Sequence, residues 1–240
     1  MKLLAIDSSG LVASVALVVD EILVGEYTIH NKKTHSQTLL PMIADMLEMS
    51  GVDKNELDAI AVASGPGSFT GLRIGAATAK GLAQGLDKPI IPISALEGLA
   101  YNLQGTENPV CPIMDARRGQ VYSGIYDVKD VLPKVLYEDA ARPIEDVIAQ
   151  VKELNRPVTF IGDGVPVFKD RLIDSLNEAS QGGPVSFGNS AVRYQRASSI
   201  ALLGSLYLND DRQVEAHEFV PRYLRMTQAE RERASKTDHK

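Results

Sequence analysis

Ser64-Gly65-Pro66-Gly67-Ser68-Phe69-Thr70-Gly71-Leu72-Arg73-Ile74-Gly75 joins an apolar run, Asp58-Ala59-Ile60-Ala61-Val62-Ala63, to small residues at helical spacing. The apolar run reads as a buried strand, and residues 72–86 read as a helix that stops before Pro89. A strand that enters a helix through glycines can offer unpaired backbone N–H groups to an anion. The spacing nevertheless excludes the standard phosphate loops, because Gly65-Pro66-Gly67 is followed by glycine after four residues instead of three. No Gly-Lys-Ser/Thr follows Gly71 or Gly75 either. Phe69 stands at the centre of Gly67-Ser68-Phe69-Thr70-Gly71, so the segment is not a nucleophile elbow. Two readings stay open, a cradle for a ligand or a turn that lets a helix pack closely on a sheet.

Around that junction the chain has the balance of an ordinary globular protein, with 44% hydrophobic and 23% charged residues in 240. No apolar stretch approaches the roughly 20 residues that span a bilayer, so no membrane segment is expected. The opening Met1-Lys2-Leu3-Leu4-Ala5-Ile6-Asp7 meets an acid too soon for a signal peptide, which places the expected chain in the cytoplasm. Cys111 is the single cysteine, which rules out an internal disulfide and reads as a buried, inert thiol. A net charge of −6 argues against a chain that grips nucleic acid by itself. Its basic cluster, Arg222, Arg225, Arg231, Arg233, Lys236 and Lys240, is interleaved with acids and reads as a solvated tail.

Periodicity predicts strands at 2–6, 11–19 and 22–29, a helix at 35–49, a strand ending at Ala63, the helix at 72–86, a strand at 89–93 and a helix at 94–104. The plan then restarts, with strands at 110–114, 120–126 and 134–137, a helix at 144–154, a strand at 158–161 and a helix at 165–176. Each half opens on a strand ending in aspartate, Asp7 or Asp115, before a tight turn and a second strand. Duplicated βββαβα halves, residues 1–105 and 106–240, predict an α/β fold of two facing lobes, the actin-like arrangement. Residues 190–208 are expected to supply a further helix, and 219–224 a terminal segment packed back on the body.

Two surfaces are singled out. On the helix at 35–49, Leu40, Ile43 and Leu47 form one apolar stripe, while Leu39, Met42, Met46 and Met49 form another with the three-four-three spacing of a helix seam. The methionine stripe is either a docking surface for partners or part of a wide buried face. Pro41 lacks the N–H for an intrahelical bond, so the helix is expected to bend or tighten there. In the next helix Gly71, Gly75 and Ala79 recur every fourth residue, a flat strip for close packing inside the chain or against a partner. Asp7 and Asp115 either handle phosphate or cap their turns; with Ser8, Gly67 and Ser68 they form the candidate nucleotide or phosphate contact set. Gly162-Asp163-Gly164 is a turn that could also lie by a nucleoside.

Ala5-Ile6-Asp7-Ser8-Ser9, residues 64–75, Asp115-Ala116-Arg117-Arg118-Gly119-Gln120-Val121-Tyr122 and Pro221-Arg222-Tyr223-Leu224-Arg225 resemble the bacterial TsaB family, formerly YeaZ, over residues 1 to about 227. The resemblance implies the two-lobed actin-like ATPase (ASKHA, RNase H-like) fold and a part in making N6-threonylcarbamoyladenosine at position 37 of tRNAs that read ANN codons. It implies a non-catalytic partner of the transferase TsaD, joined by the ATPase TsaE, with tRNA met only through the complex. It also implies that the first two helices build both a homodimer and a heterodimer with TsaD. TsaD-like chains carry a metal-binding His-His-x-Glu-Gly-His segment where this sequence reads Ser94-Ala95-Leu96-Glu97-Gly98-Leu99. Ala95 and Leu99 have no donor atoms, so no metal, cofactor or catalytic residue is expected here. The alternatives are an interlobe-cleft kinase, a metallopeptidase of the same superfamily, or an RNA-binding module.

Overall fold

The computed structural model describes residues 1–31, 34–177, 185–208, 210 and 212–225. The basic residues from Arg231 onward lie outside them.

The first half opens with an antiparallel meander, β1 (Lys2–Asp7), β2 (Ala13–Val19) and β3 (Ile22–Ile29). Asp20 and Glu21 both take positive φ at the β2–β3 turn, which matches the right-handed twist of a hairpin. Helix α1 (His35–Ser50) runs through Pro41 and leads to β4 (Ala59–Gly65), which pairs parallel with β1. Helix α2 (Phe69–Leu86), β5 (Ile90–Ser94) and α3 (Ala95–Tyr101) follow, giving a sheet of order β3-β2-β1-β4-β5. The second half repeats this with β6 (Val110–Asp115), β7 (Gln120–Asp127), β8 (Lys134–Pro143), α4 (Ile144–Leu154), β9 (Thr159–Ile161), α5 (Val165–Asn177) and β10 (Ser186–Phe187). Read in the equivalent direction, its order is β8-β7-β6-β9-β10, the same topology. Strand β10, absent from the sequence reading, is the element that the duplication requires opposite β5. Two residues at part-buried positions give no periodic signal.

Several boundaries move, two of them for identifiable reasons. Helix α2 starts at Phe69, three residues before the expected Leu72, because the Ser68 side chain caps it by accepting from the Gly71 N–H at 3.3 Å. Strand β8 runs six residues past Tyr137 to Pro143, since it pairs with β7 along its length apart from local irregularities. Helix α6 (Ala197–Leu208) begins only at Ala197.

Strand β1 is covered on both sides, and its alternation decides what covers each. Leu4 and Ile6 point into a core with Leu39, Met42, Ile43 and Met46 of α1 and Ala76, Ala79 and Ala83 of α2. Leu3 and Ala5 point into the opposite core with Ile200, Ala201 and Leu203 of α6. Helix α6 therefore packs on the first sheet although it follows the second in sequence. The chain then adds Val214 to the edge of β5 through paired backbone bonds with Ile90 and buries Phe219 beneath α1 and α2.

Candidate functional site

The glycine junction is filled by the chain itself. A Cβ at Gly71 would overlap the carbonyl oxygen of Ser8, and one at Gly67 would overlap that of Ser9. The Ser8 hydroxyl donates to the Gly71 carbonyl at 2.9 Å, and the Ser68 N–H donates to Ser9 at 2.7 Å. Close backbone approach is thus used to lay α2 over the β1–β2 loop. Asp7 is buried and accepts from the Ser9 N–H at 2.9 Å and the Ser9 hydroxyl at 2.7 Å. Burial raises its carboxyl to about 6, against the opposing pull of the two serine bonds.

Of the candidate phosphate contacts, Asp7 and Ser8 are engaged in these internal bonds and do not line the cavity between the two opening loops. Gly67, Ser68 and Asp115 do line it, in a volume of about 330 Å³. Arg117, Asp163 and Arg225 complete its polar wall. Arg117 and Arg118 adopt left-handed backbone conformations, φ 67° and 60°, in the turn where Asp115 accepts from the Arg117 N–H at 2.8 Å. The Asp163 carboxyl accepts from the Asp115 N–H at 3.1 Å and is pushed up to about 6, first by burial and then by the nearby Asp115 charge. Sequence reading singled out Asp163 as a turn residue. It missed Arg225, which only the return of the chain brings to the cavity.

On α1 the two stripes do not divide as expected. Leu39, Met42 and Met46 are buried in the core, at 1%, 5% and 3% exposure, so most of the methionine stripe docks the helix on its own sheet. Met49 alone of that set is open, at 81%, and receives a hydrogen bond from the Tyr27 hydroxyl on β3. Of the other stripe, Ile43 is buried, Leu47 is half-buried and Leu40 is exposed at 55%. Gly71, Gly75 and Ala79 of α2 are likewise buried, with Gly75 against the Ser8 hydroxyl, so that strip serves internal packing. The opposite stripe, Arg73, Ala77, Gly81 and Gly85, is exposed, and a Cβ at Gly81 or Gly85 would meet nothing within 4 Å.

Ala95 and Leu99 are buried at the start of α3. Glu97 accepts a short hydrogen bond from the Tyr207 hydroxyl, and burial raises its carboxyl. Ser94, which caps α3, donates to Asp139 of β8 at 2.6 Å, and the Tyr126 hydroxyl donates to the same carboxylate. The Cys111 thiol is fully buried, and burial pushes it above the usual thiol range. Among the described residues no three His, Cys, Asp or Glu side chains are grouped to hold a metal, and no helix is long and apolar enough to cross a membrane.

The model of the family described as TsaD, tRNA N6-adenosine threonylcarbamoyltransferase, matches residues 23–233. The tRNA threonylcarbamoyladenosine biosynthesis protein TsaB of Bacillus subtilis is 37% identical over 96% of both chains. A tRNA N6-adenosine threonylcarbamoyltransferase of Symbiobacterium thermophilum is 34% identical over 52% of this chain and 38% of its own. The solved YeaZ of Pseudomonas aeruginosa superposes with a TM-score of 0.75 at 29% identity, covering 93% of this chain and 99% of that one. A ROK hexokinase of Thermus thermophilus superposes at 0.51 with 11% identity over 88% and 100%, a likeness of fold that accords with the actin-like arrangement.

Proposed function

Because the chain belongs to the TsaB family of tRNA threonylcarbamoyladenosine biosynthesis proteins, we propose that it acts in the cytoplasm as a non-catalytic subunit that binds TsaD and supports its modification of adenosine 37. The docking face is the solvent side of the α1–α2 pair, with Leu40 and Ala44 on α1 and Ala77, Gly81 and Gly85 on α2. The same face pairs two copies of the chain when TsaD is absent. TsaE joins the assembly, and tRNA is met only there.

The observation that carries this reading is the open space over Gly81 and Gly85. Glycine inside a helix costs about 0.5–1 kcal/mol relative to alanine, and among the described residues nothing lies within 4 Å of a Cβ at either position. An approaching helix would use that space, with Leu40 as an apolar anchor beside it. Met49 lies on the flank toward β3, and Leu39, Met42 and Met46 support the face from beneath. The non-catalytic part rests on Ala95 and Leu99, whose buried apolar side chains occupy the positions that would present metal ligands in TsaD.

Light scattering of the chain mixed with TsaD tests the face. Gly81→Arg and Leu40→Asp should each weaken the complex at least about 100-fold while the melting temperature stays within a few degrees. Full binding by both variants sinks the assignment. Partner-free protein that turns over ATP or retains stoichiometric zinc or iron would instead favour the kinase or metallopeptidase reading.

A further inference from the structure

The segment after α6 crosses from one lobe to the other over the glycine junction. It is held to α2 first, where the Lys80 ammonium donates to the carbonyls of His217 and Phe219 at 3.2 and 3.0 Å. Phe219 is buried in the core under α1 and α2. Two residues after Val220 the Arg222 N–H donates to the Ser64 carbonyl at 2.7 Å, and the Arg222 carbonyl lies so near Gly65 that a Cβ there would overlap it. The Tyr223 ring stacks on Phe69 in the first turn of α2, 4.8 Å between centroids and 12° from parallel, with the Arg73 guanidinium 5.9 Å from the same ring. Then the partners change lobe. Leu224 packs against the cluster in which Leu96 and Leu99 of α3 meet Met114 and Tyr122 of the second sheet. Arg225 donates to the Ala116 carbonyl in the β6–β7 turn, and the Arg222 guanidinium stands 3.8 Å from Asp139 of β8.

We infer that residues 217–225 are a strap that couples the amino-terminal turns of α2 to the β6–β7 turn, so that the first and second lobes and the cavity between them respond together. Consecutive residues serve different sides: Tyr223 holds α2, Leu224 packs where α3 meets the second sheet, and Arg225 holds the β6–β7 turn. Arg225 also lines the cavity that it helps to close. The β6–β7 turn at the far end holds two arginines in left-handed backbone conformations, which persist only where surrounding contacts fix them. Because α2 carries the proposed docking face, occupancy of that face would be felt at this turn. That last step rests on the docking reading; the coupling itself does not.

Amide hydrogen exchange on the full free chain tests the coupling through residues that the altered side chain does not touch. Tyr223→Ala removes the stack on Phe69 and should raise exchange roughly tenfold at residues 116–120 as well as at 69–73. Arg225→Gln removes the bond to Ala116 and should raise exchange at 69–73 as well as at 116–120, since coupling is reciprocal. Tyr223→Phe keeps the stack and removes only the bond that the Tyr223 hydroxyl accepts from Arg73 Nε at 3.4 Å, so exchange at 116–120 should match the unaltered chain. If each variant speeds exchange only at its own contacts, the strap is a passive tether and the inference fails. Adding TsaD gives a separate outcome: protection of 116–120 in the unaltered chain and not in Tyr223→Ala extends the coupling to the docking face. Unchanged exchange there, with coupling intact in the free chain, overturns only that extension.

Discussion

Two stripes of small residues run along α2, and they have opposite fates. Gly71 and Gly75 face the β1–β2 loop, where the oxygens of Ser8 fill the space that side chains would need, and Ala79 continues that side into the core. Ala77, Gly81 and Gly85 face solvent with open space beside both glycines. Residues two apart on a helix lie about 200° apart around its axis, so both stripes have the same four-residue spacing on opposite sides. The difference teaches that small-residue spacing marks where something comes close, while only the surroundings show whether that something belongs to the same chain.

The largest expected effects are on the inner side. Met46→Asp places an unpaired carboxylate in the core, and Gly71→Val drives a branched side chain into the Ser8 backbone, so each should lower unfolding free energy by about 3–5 kcal/mol in urea titrations. A loss below about 1 kcal/mol for either would break the inner–outer distinction. Next is the buried acid beside Ser8, Asp7. The Asp7 carboxyl sits near 6 in the folded chain, above its ordinary 3.8, so its contribution to stability is fully present below about pH 3.8 and is lost as pH rises through about 6. Asp7→Asn should therefore gain about 2–3 kcal/mol relative to the unaltered chain between pH 4 and pH 7. Parallel urea curves at the two pH values check it, and a difference independent of pH would show that Asp7 is ionised throughout. The smallest effect belongs to the outer side. Gly81→Ala should raise unfolding free energy by about 0.5–1 kcal/mol, because its new methyl group meets no atom of the described residues. A loss on that change would mean that the outer stripe is already packed within the chain.

Much of the fold was legible because the halves repeat. Strands β3 and helix α4 fall at their expected bounds, since a hairpin turn and a single clean apolar stripe leave little choice of register. Strand β10 was not legible, being two residues long, nor was the start of α2, where the cap at Ser68 outweighs the apolar periodicity. The candidate site was legible in part. Gly67, Ser68 and Asp115 meet at one cavity, but Asp7 and Ser8 are drawn inward by hydrogen bonds to Ser9 and Gly71 that follow from how closely α2 descends. The segment at 219–224 packs back on the body as expected, but Arg225 reaches the same cavity just beyond it, and no local pattern encodes that contact.

By itself the sequence determined the duplicated α/β plan, the family, and the loss of side-chain donors at Ala95 and Leu99, because each depends on residue type and short-range spacing. The tertiary structure alone decided which face of α1 is buried. With Leu39, Leu40, Met42, Ile43, Met46 and Leu47 spread over an arc of about 160°, the apolar side of α1 is wider than the strip that its sheet covers, and the burial of Met42 and Met46 while Leu40 stays open follows from the sheet and α2 beneath them. It also decided which of two equally spaced stripes on α2 remains open, since close packing is a property of both surfaces in contact and one helix supplies only half of it.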